Sequence, residues 1–441
     1  MINNKHRPGY KKIKVGWIPE EWTFGRIGDF FDVTSGSTPS RLQHDDYFLN
    51  GDVEWVKTMD LNNSMLFKTS ERITKKGLKE SSCKMLPINT VLVAMYGGFN
   101  QIGRTGLLKM EAACNQALSA ILPSKSYNAE FLLAWLNSQV LYWKKLSASS
   151  RKDPNITKND VNDFPLIIPP LPEQIAIAEV LECWDKGIRT LEKKIEKKRL
   201  VKNGLMQKLL SGETRLPKFS KPWKNISLGK VFNLITTYAF SREKLTTEDV
   251  DNGDIYNIHY GDIHATYTGA ILDLGKERRV PMLISSDALP SKMEFLKDGD
   301  LIMADVSEDY EGIGACLELK NIGARKVTGG LHTFVLRDAA EQTAEGFRGY
   351  LFREYGVAKE LKRIATGVSV YSISKSKLIE VKLHLPPLEE QRAIAKVLEA
   401  ADAEIDALES KLALFKDQKK YLLNNLVTGT IRLPQFENSL P

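Results

Sequence analysis

The chain has 441 residues, with 62 Lys and Arg against 55 Asp and Glu, a formal charge of +7, and 42% hydrophobic residues. At about 100–200 residues per domain it holds two to four domains, each able to bury its own core. A charged fraction of 27% beside that apolar content excludes a disordered chain. No apolar run reaches the roughly 18 residues of a membrane span, and residues 1–10 read as too polar for a signal peptide. Cys83, Cys114, Cys183 and Cys316 stand far apart with no Cys-x-x-Cys, which excludes a zinc ribbon and a disulfide framework and fits a reducing cytoplasm.

Five of the charges, Lys5, Arg7, Lys11, Lys12 and Lys14, sit in residues 1–14 without an acid. They form an arm that either lies on phosphates or is a free tail. Thr90-Val-Leu-Val-Ala-Met95, entered through a polar turn, predicts a buried strand, and the apolar period of residues 131–146, with Trp135 and Trp143, predicts a helix. Pro169-Pro170 cannot continue a helix but is tolerated in a first turn, so a long helix starts there and ends near Gly212. Beyond it, Asp300-Leu-Ile-Met-Ala304 predicts a second buried strand and residues 347–364 a second helix. Pro386-Pro387 then opens a last long helix that ends near Gly429.

The chain repeats itself. Pro169-Pro170-Leu171-Pro172-Glu173-Gln174 returns as Pro386-Pro387-Leu388-Glu389-Glu390-Gln391, and residues 169–219 and 386–436 are identical at 24 of 51 positions without a gap. Such a period is to be sought before any local motif. A heptad seam runs through each copy: Ile177, Leu181, Trp184, Ile188, Leu191, Ile195, Leu205 and Leu209 in the first, and Ile394, Leu398, Ile405, Leu408, Leu412, Phe415, Leu422 and Leu426 in the second. A helix of ~40 residues is about 60 Å long and cannot bury its stripe alone. Pairing the two copies is the economical solution, and their direction is left open. Lys202 and Lys419 share one seam position, either as a device that fixes register or as lysines snorkelling from a loosened seam. The basic run at residues 193–199 is more often a solvated helix face than a DNA contact. The segments before the helices repeat more faintly: Trp22, Ser40 and Arg41 align with Trp223, Ser241 and Arg242.

Catalytic motifs fail one by one. Gly98-Phe-Asn-Gln-Ile-Gly103-Arg104-Thr105 is one residue from a phosphate-binding loop, but arginine replaces its lysine. Glu318-Leu-Lys320 with Asp305 or Asp309 is too short a string to argue for a nuclease. The six histidines show no metal spacing, with His259 and His264 as the one local pair. No cofactor or metal is expected, and binding is the default.

Two variable domains, each followed by a Pro-Pro-Leu-x-Glu-Gln helix ending near Gly-x-x-Arg-Leu-Pro, resemble the specificity subunit of type I restriction–modification enzymes of bacteria and archaea. Ser35-Gly-Ser-Thr-Pro-Ser-Arg41, Val53-Glu-Trp-Val-Lys57 and Asn115-Gln116-Ala117-Leu118 look like one class of target recognition domain. Ile258-His-Tyr-Gly-Asp-Ile263, Ser307-Glu-Asp-Tyr-Glu-Gly312, Gly330-Leu-His-Thr-Phe334 and Gly367-Val-Ser-Val-Tyr-Ser-Ile-Ser374 look like another. The resemblance implies an α+β fold of two mixed recognition domains, rich in short strands and separated by two long helices paired as an antiparallel coiled coil, with a pseudo-two-fold axis. It places the first recognition domain at residues 1–168, the central helix at 169–217, the second domain at 218–385, the last helix at 386–434 and a tail at 435–441. It further implies a non-catalytic DNA-reading subunit in the cytoplasm, away from membranes. Its partners would be double-stranded DNA, two methylase subunits holding S-adenosylmethionine, and two motor–nuclease subunits using ATP and Mg. Two domains about a pseudo-dyad would read unlike half-sites about one helical turn apart.

Base readout needs donors and acceptors on loops, with basic residues on phosphate. In the first domain the candidates are Ser40, Arg41, Lys57, Thr58, Asn100, Gln101, Arg104, Arg151 and Lys152. In the second they are Ser241, Arg242, His259, Tyr260, Asp262, His264, Tyr310 and Ser369. Arg41 and Arg242 lead, because they hold equivalent repeat positions. Two other readings compete: a self-contained restriction or modification enzyme, against which the missing catalytic motifs argue, and a coiled-coil scaffold without DNA readout, against which the diversified loops argue.

Overall fold

The computed structural model describes residues 8–13, 16–98, 100–147, 155–248, 255–267, 269–284, 289–290 and 292–437. It divides into two compact units, Met1–Glu192 with Lys411–Pro441, and Lys193–Ser410. Each unit therefore takes one globular domain and part of both long helices.

In the first unit the strands Thr23–Arg26 and Pro165–Ile168 pair antiparallel, so the globular part opens and closes on one ribbon. Between them β1 (Val33–Ser35), β2 (Ser64–Leu66), β3 (Val91–Ala94), β4 (Thr105–Leu108) and β5 (Leu118–Ile121) form a sheet in the order β1-β5-β3-β4-β2. Only its last pair, β4 with β2, is parallel. Every residue of β3, β4 and β5 is buried, which is why these strands read as unbroken apolar runs rather than alternating ones.

The second unit repeats this plan. Lys224–Ser227 pairs with Lys382–Leu385 to close its globular part. Its sheet comprises β6 (Asn233–Ile235), β7 (Ile271–Asp273), β8 (Leu301–Ala304), β9 (Cys316–Lys320) and β10 (Thr333–Arg337) in the order β6-β10-β8-β9-β7, again with one parallel pair at the end. The two orders are the same when each number is raised by five.

The long helices are α1 (Leu171–Ser211) and α2 (Leu388–Leu426). Each begins straight after the Pro-Pro pair and stops in a left-handed glycine, Gly212 at φ +76° and Gly429 at φ +67°. There Thr214 N–H bonds Lys208 O at 3.1 Å and Ile431 N–H bonds Asn425 O at 3.2 Å, so in both copies the chain turns back past the glycine to occupy a carbonyl near the helix end. A side chain at Gly429 would also strike the Pro19 ring, with a Cβ 2.5 Å from its Cδ.

Within both units the helices run antiparallel. In the first, Glu192 pairs with Lys416, Asp185 with Lys419, and the Trp184 ring meets Phe415 edge-on at 5.2 Å. In the second, Lys198 pairs with Glu404, Arg199 with Glu409, and Lys202 with Asp402. The seam residues Ile177, Leu181, Ile188, Ile195, Leu209, Ile394, Leu398, Ile405 and Leu426 are buried, and Trp184, Leu191, Leu205, Leu408, Leu412, Phe415 and Leu422 are partly so. Lys202 and Lys419 do not escape the seam. Lys202–Asp402 and Lys419–Asp185 are one pair of repeat positions used twice, the arrangement expected of a register device.

The repeated Glu-Gln anchors each helix to a domain. Glu173, fully buried, accepts from Trp22 Nε1 at 3.0 Å and from Arg432 Nε and Nη2 at 2.9 and 2.7 Å. Glu390, equally buried, accepts from Trp223 Nε1 at 3.1 Å and from Arg215 Nη2 at 2.6 Å. Gln174 donates to Pro169 O and accepts from Asn128 N–H, both at 2.8 Å. Gln391 does the same with Pro386 O and Ala344 N–H.

Three expectations change. The helix over residues 131–146 is two, Ala129–Ser138 and Val140–Ser147, broken at Gln139, where Trp143 turns in to stack on Phe164 at 3.9 Å. The helix over 347–364 is likewise Arg348–Leu351 and Tyr355–Ile364, because the Glu354 carboxylate caps a fresh start by accepting from Val357 N–H at 2.8 Å. In the N-terminal arm, Tyr10–Ile13 is a strand paired with Gly16–Pro19, and Tyr10 Oη donates to Gly429 O at 2.8 Å. Lys5, Arg7 and Lys14 lie outside the described residues.

Candidate nucleic-acid interface

In the first domain three recognition strings meet. Val53–Val56 is the middle strand of a small sheet, parallel to Ala113–Cys114 and antiparallel to Glu71–Ile73. The loop before Arg41 lies over it: Ser37 O accepts from Trp55 Nε1 at 3.2 Å, and Gly36 passes so close to Cys114 O that a Cβ would sit 2.2 Å away. Arg41 opens a short 3₁₀ turn, Arg41–Gln43, behind exposed Ser40. Its guanidinium lies 4.0 Å over the Phe48 ring and 5.3 Å from Trp55, and its two terminal nitrogens grip Glu71 end-on, one of them at 2.9 Å.

Lys57 reaches the same carboxylate at 2.9 Å. The Arg41 hydrogen bond, with Lys57 behind it, holds the Glu71 carboxyl at about 2, well below the usual range, against the opposing effect of burial. Two of the candidate cations thus converge on one anion. Thr58, next in chain, is buried, and its 3₁₀ turn Thr58–Asp60 is capped by Asp60 accepting from Lys57 N–H at 2.8 Å.

The loop carrying Asn100, Gln101 and Arg104 stands beside that turn, with Gln101 Nε2 3.2 Å from Met59 Sδ and Arg104 Nε donating to Asn100 O at 3.2 Å. Its Gly103 is explained by packing, since a Cβ there would lie 2.5 Å from Trp143 Cγ. Arg151 and Lys152 lie outside the described residues.

The second domain builds the equivalent place with other side chains. Arg242 follows exposed Ser241 and opens the 3₁₀ turn Arg242–Lys244, as Arg41 does in its own domain. It spends one nitrogen on Asp262, at 3.0 Å, and its side chain stays 64% exposed. Asp262 is buried, and its other oxygen accepts from His259 N–H at 3.0 Å, capping the helix Tyr260–Ala265 as Asp60 caps its turn.

His259 is buried against Gly330, and burial, with Arg242 adding to it and Asp262 opposing, lowers its pKa. The Tyr260 ring meets His332 edge-on at 5.5 Å, and His264 Nε2 lies 3.0 Å from Val306 O. Strand Val306–Ser307 pairs with Tyr371–Ser372, and Tyr310 rests on Tyr371 at 5.3 Å. Exposed Ser369 lies in the hairpin that Thr366 and Ser372 close. Arg242, Asp262, His259, Tyr260, His264, Tyr310 and Ser369 therefore lie along one connected stretch.

Glu71 has no sequence signal, and His332 lies within the string Gly330-Leu-His-Thr-Phe334 but is not among the candidates. Glu71 sits on a strand 30 residues from Arg41. His332, at φ +53°, is held 3.4 Å from Asp305. Glu318 is a structural residue: it is buried, accepts from Gly346 and Gly349 N–H at 2.6 and 2.8 Å, and its pKa is pushed up to about 7 by that burial. Asp309 closes its own turn onto Gly312 N–H. Among the described residues no His, Cys, Asp and Glu cluster could hold a metal ion.

Residues 19–198 and 220–414 both match the family model of the type I restriction modification DNA specificity domain. The chain belongs to that family. It carries two copies of the specificity domain, each match running from a globular part into its long helix. The specificity subunit of the type I restriction enzyme MjaVIII from Methanocaldococcus jannaschii is 23% identical over 440 residues, covering 96% of both chains. That of EcoKI from Escherichia coli is 21% identical over 415 residues, 91% of this chain and 86% of the relative. Among solved structures, one from a study of complex assembly and conformational transition in a type I restriction–modification system aligns with a TM-score of 0.59 at 17% identity, over 94% of this chain and 99% of the other. The S subunit of a type I restriction–modification system from M. genitalium aligns at 0.51 and 17% identity over 92% of this chain and 96% of the other. These structures share the fold of the specificity family. No helix among the described residues is long and apolar enough to cross a membrane.

Proposed function

We propose that this chain is the DNA-recognition subunit of a type I restriction–modification complex, with each domain reading one half of a bipartite, asymmetric target. One observation carries the reading. The same five-strand order and the same capped turn occur in both domains, yet the side chains presented there differ: Arg41, Lys57 and Glu71 against Arg242, His259 and Asp262. A scaffold kept and a surface changed is what two unlike half-sites require. The paired helices act as the spacer and offer the surface on which methylase subunits dock. Chemistry belongs to the partners: S-adenosylmethionine in two methylases, ATP and Mg in two motor–nuclease subunits. The subunit works in the cytoplasm on double-stranded DNA.

Co-expression with a type I methylase subunit, followed by sequencing of modified bases, tests this. The expected result is methylation at a split motif, one half of which changes when residues 218–385 are exchanged for those of a relative. Methylation that ignores the exchange removes the reading, and methylation independent of the chain leaves only a scaffold.

A further inference from the structure

We propose that Val368, with Val370 beside it, reads the second half-site by packing on a thymine 5-methyl group. This rests on the DNA-recognition reading above and names one residue and the base feature it meets.

The tip is built rather than loose. Thr366 and Ser372 exchange two backbone hydrogen bonds, at 2.9 and 2.8 Å. Gly367 stands at φ +134°, where a Cβ would lie 1.9 Å from Val370 O, so only glycine fits the turn. Below it, Tyr371–Ser372 is pinned to Val306–Ser307 and Ile373 is buried in the core. On this support Val368 is 91% exposed and Val370 52%.

A single exposed valine is ordinary. Two of them flank candidate Ser369 on a pinned tip that leads directly into Tyr371, the residue on which Tyr310 rests. The repeat gives the contrast. At the offset of 217, Val368, Ser369 and Val370 correspond to Arg151, Lys152 and Asp153 of the first domain. A position charged in one domain is apolar in the other. Valine side chains have no hydrogen bond or charge to offer a phosphate. The apolar group that DNA presents among its major-groove base edges is the thymine methyl.

The test uses the full chain purified with its methylase and a duplex carrying the motif found by sequencing modified DNA. Each thymine is replaced in turn by deoxyuridine, which lacks the methyl group. Wild type is expected to lose about fourfold in affinity at one thymine of one half-site, the worth of a buried methyl group. Val368→Ser should show that loss with thymine present and none further with deoxyuridine, while Val368→Ile keeps the wild-type response. Unchanged melting of both variants shows that the hairpin is intact.

Tolerance of deoxyuridine at every thymine overturns the proposal, as does a Val368→Ser variant that still senses the methyl. Loss of methylase co-purification in Val368→Ser, with the deoxyuridine response unaltered, also overturns it and assigns the tip to a protein partner. Failure of the parent reading shows separately, as methylation that follows no motif set by this chain.

Discussion

Arg432 closes on Glu173 across 259 residues of sequence, and Arg215 closes on Glu390 in the same way. Each arginine therefore serves the glutamate of the other repeat, and each unit draws half of its clasp from either end of the duplication. The glutamates are wholly buried, so the charge is tolerable only because arginine and tryptophan N–H groups surround it.

Breaking a clasp should be costly. Glu173→Gln leaves the Arg432 guanidinium, 7% exposed, with Glu21 as its one remaining carboxylate partner among the described residues, and about 3 kcal/mol of stability is expected to go. Hydrogen exchange should speed up in residues 16–192 and 411–437, while residues 193–410 keep their protection. Uniform loss across the chain would contradict the division into two units.

The seam lysines should behave as coupled pairs. Lys202→Glu or Asp402→Lys alone is expected to cost about 1–2 kcal/mol, and the exchanged double variant to recover most of it. A coupling near zero in denaturant unfolding would mean that the ion pair is decorative.

The reciprocity of these contacts makes one half of the chain self-complementary. A fragment of residues 1–217 carries Glu173 with Arg215 and Asp185 with Lys202, so two copies can reproduce both the clasp and the register pair. It should sediment as a dimer, and Lys202→Glu should shift it towards monomer. A wild-type fragment that stays monomeric at tens of micromolar would count against the helix pairing.

Glu71 restrains two cations at once. Glu71→Gln should release Arg41 and Lys57, raise affinity for random-sequence duplex, and steepen the salt dependence by about one to two charges. A slope identical to wild type would show that neither cation reaches the phosphates.

Glu318 sets a pH dependence with a definite sign. Its folded pKa of about 7 lies above the ordinary carboxyl value of 4.5. The protonated, folded form is favoured, and that stability is present in full below pH 4.5 and lost as pH rises through 7. The difference in melting temperature between Glu318→Gln and wild type should therefore move in favour of the variant between pH 5 and pH 8. A difference that does not change with pH would remove burial as the cause.

The duplication was legible because its constraints are identical twice: Glu173 and Glu390 need an arginine and a tryptophan, and the chain supplies the arginines at the helix offset of 217 and the tryptophans at 201. The buried strands showed because both faces of β3 and β8 are covered. The helix break at Gln139 was hidden, since nothing in that residue stops a helix and the cause is Trp143 stacking on Phe164. Arg41 and Arg242 were found by position. Their opposite commitments, one gripped end-on by Glu71 and one tethered by a single nitrogen to Asp262, depend on strand pairings that no local pattern records.

The crossed clasps carry a genetic consequence. A crossover between the two repeated stretches of the gene, at matching codons, joins the front of one helix to the back of the other. Each product still encodes a glutamate at the helix start and an arginine after its closing glycine. Such an exchange removes or adds a whole globular domain while leaving each remaining helix its buried glutamate and its arginine partner.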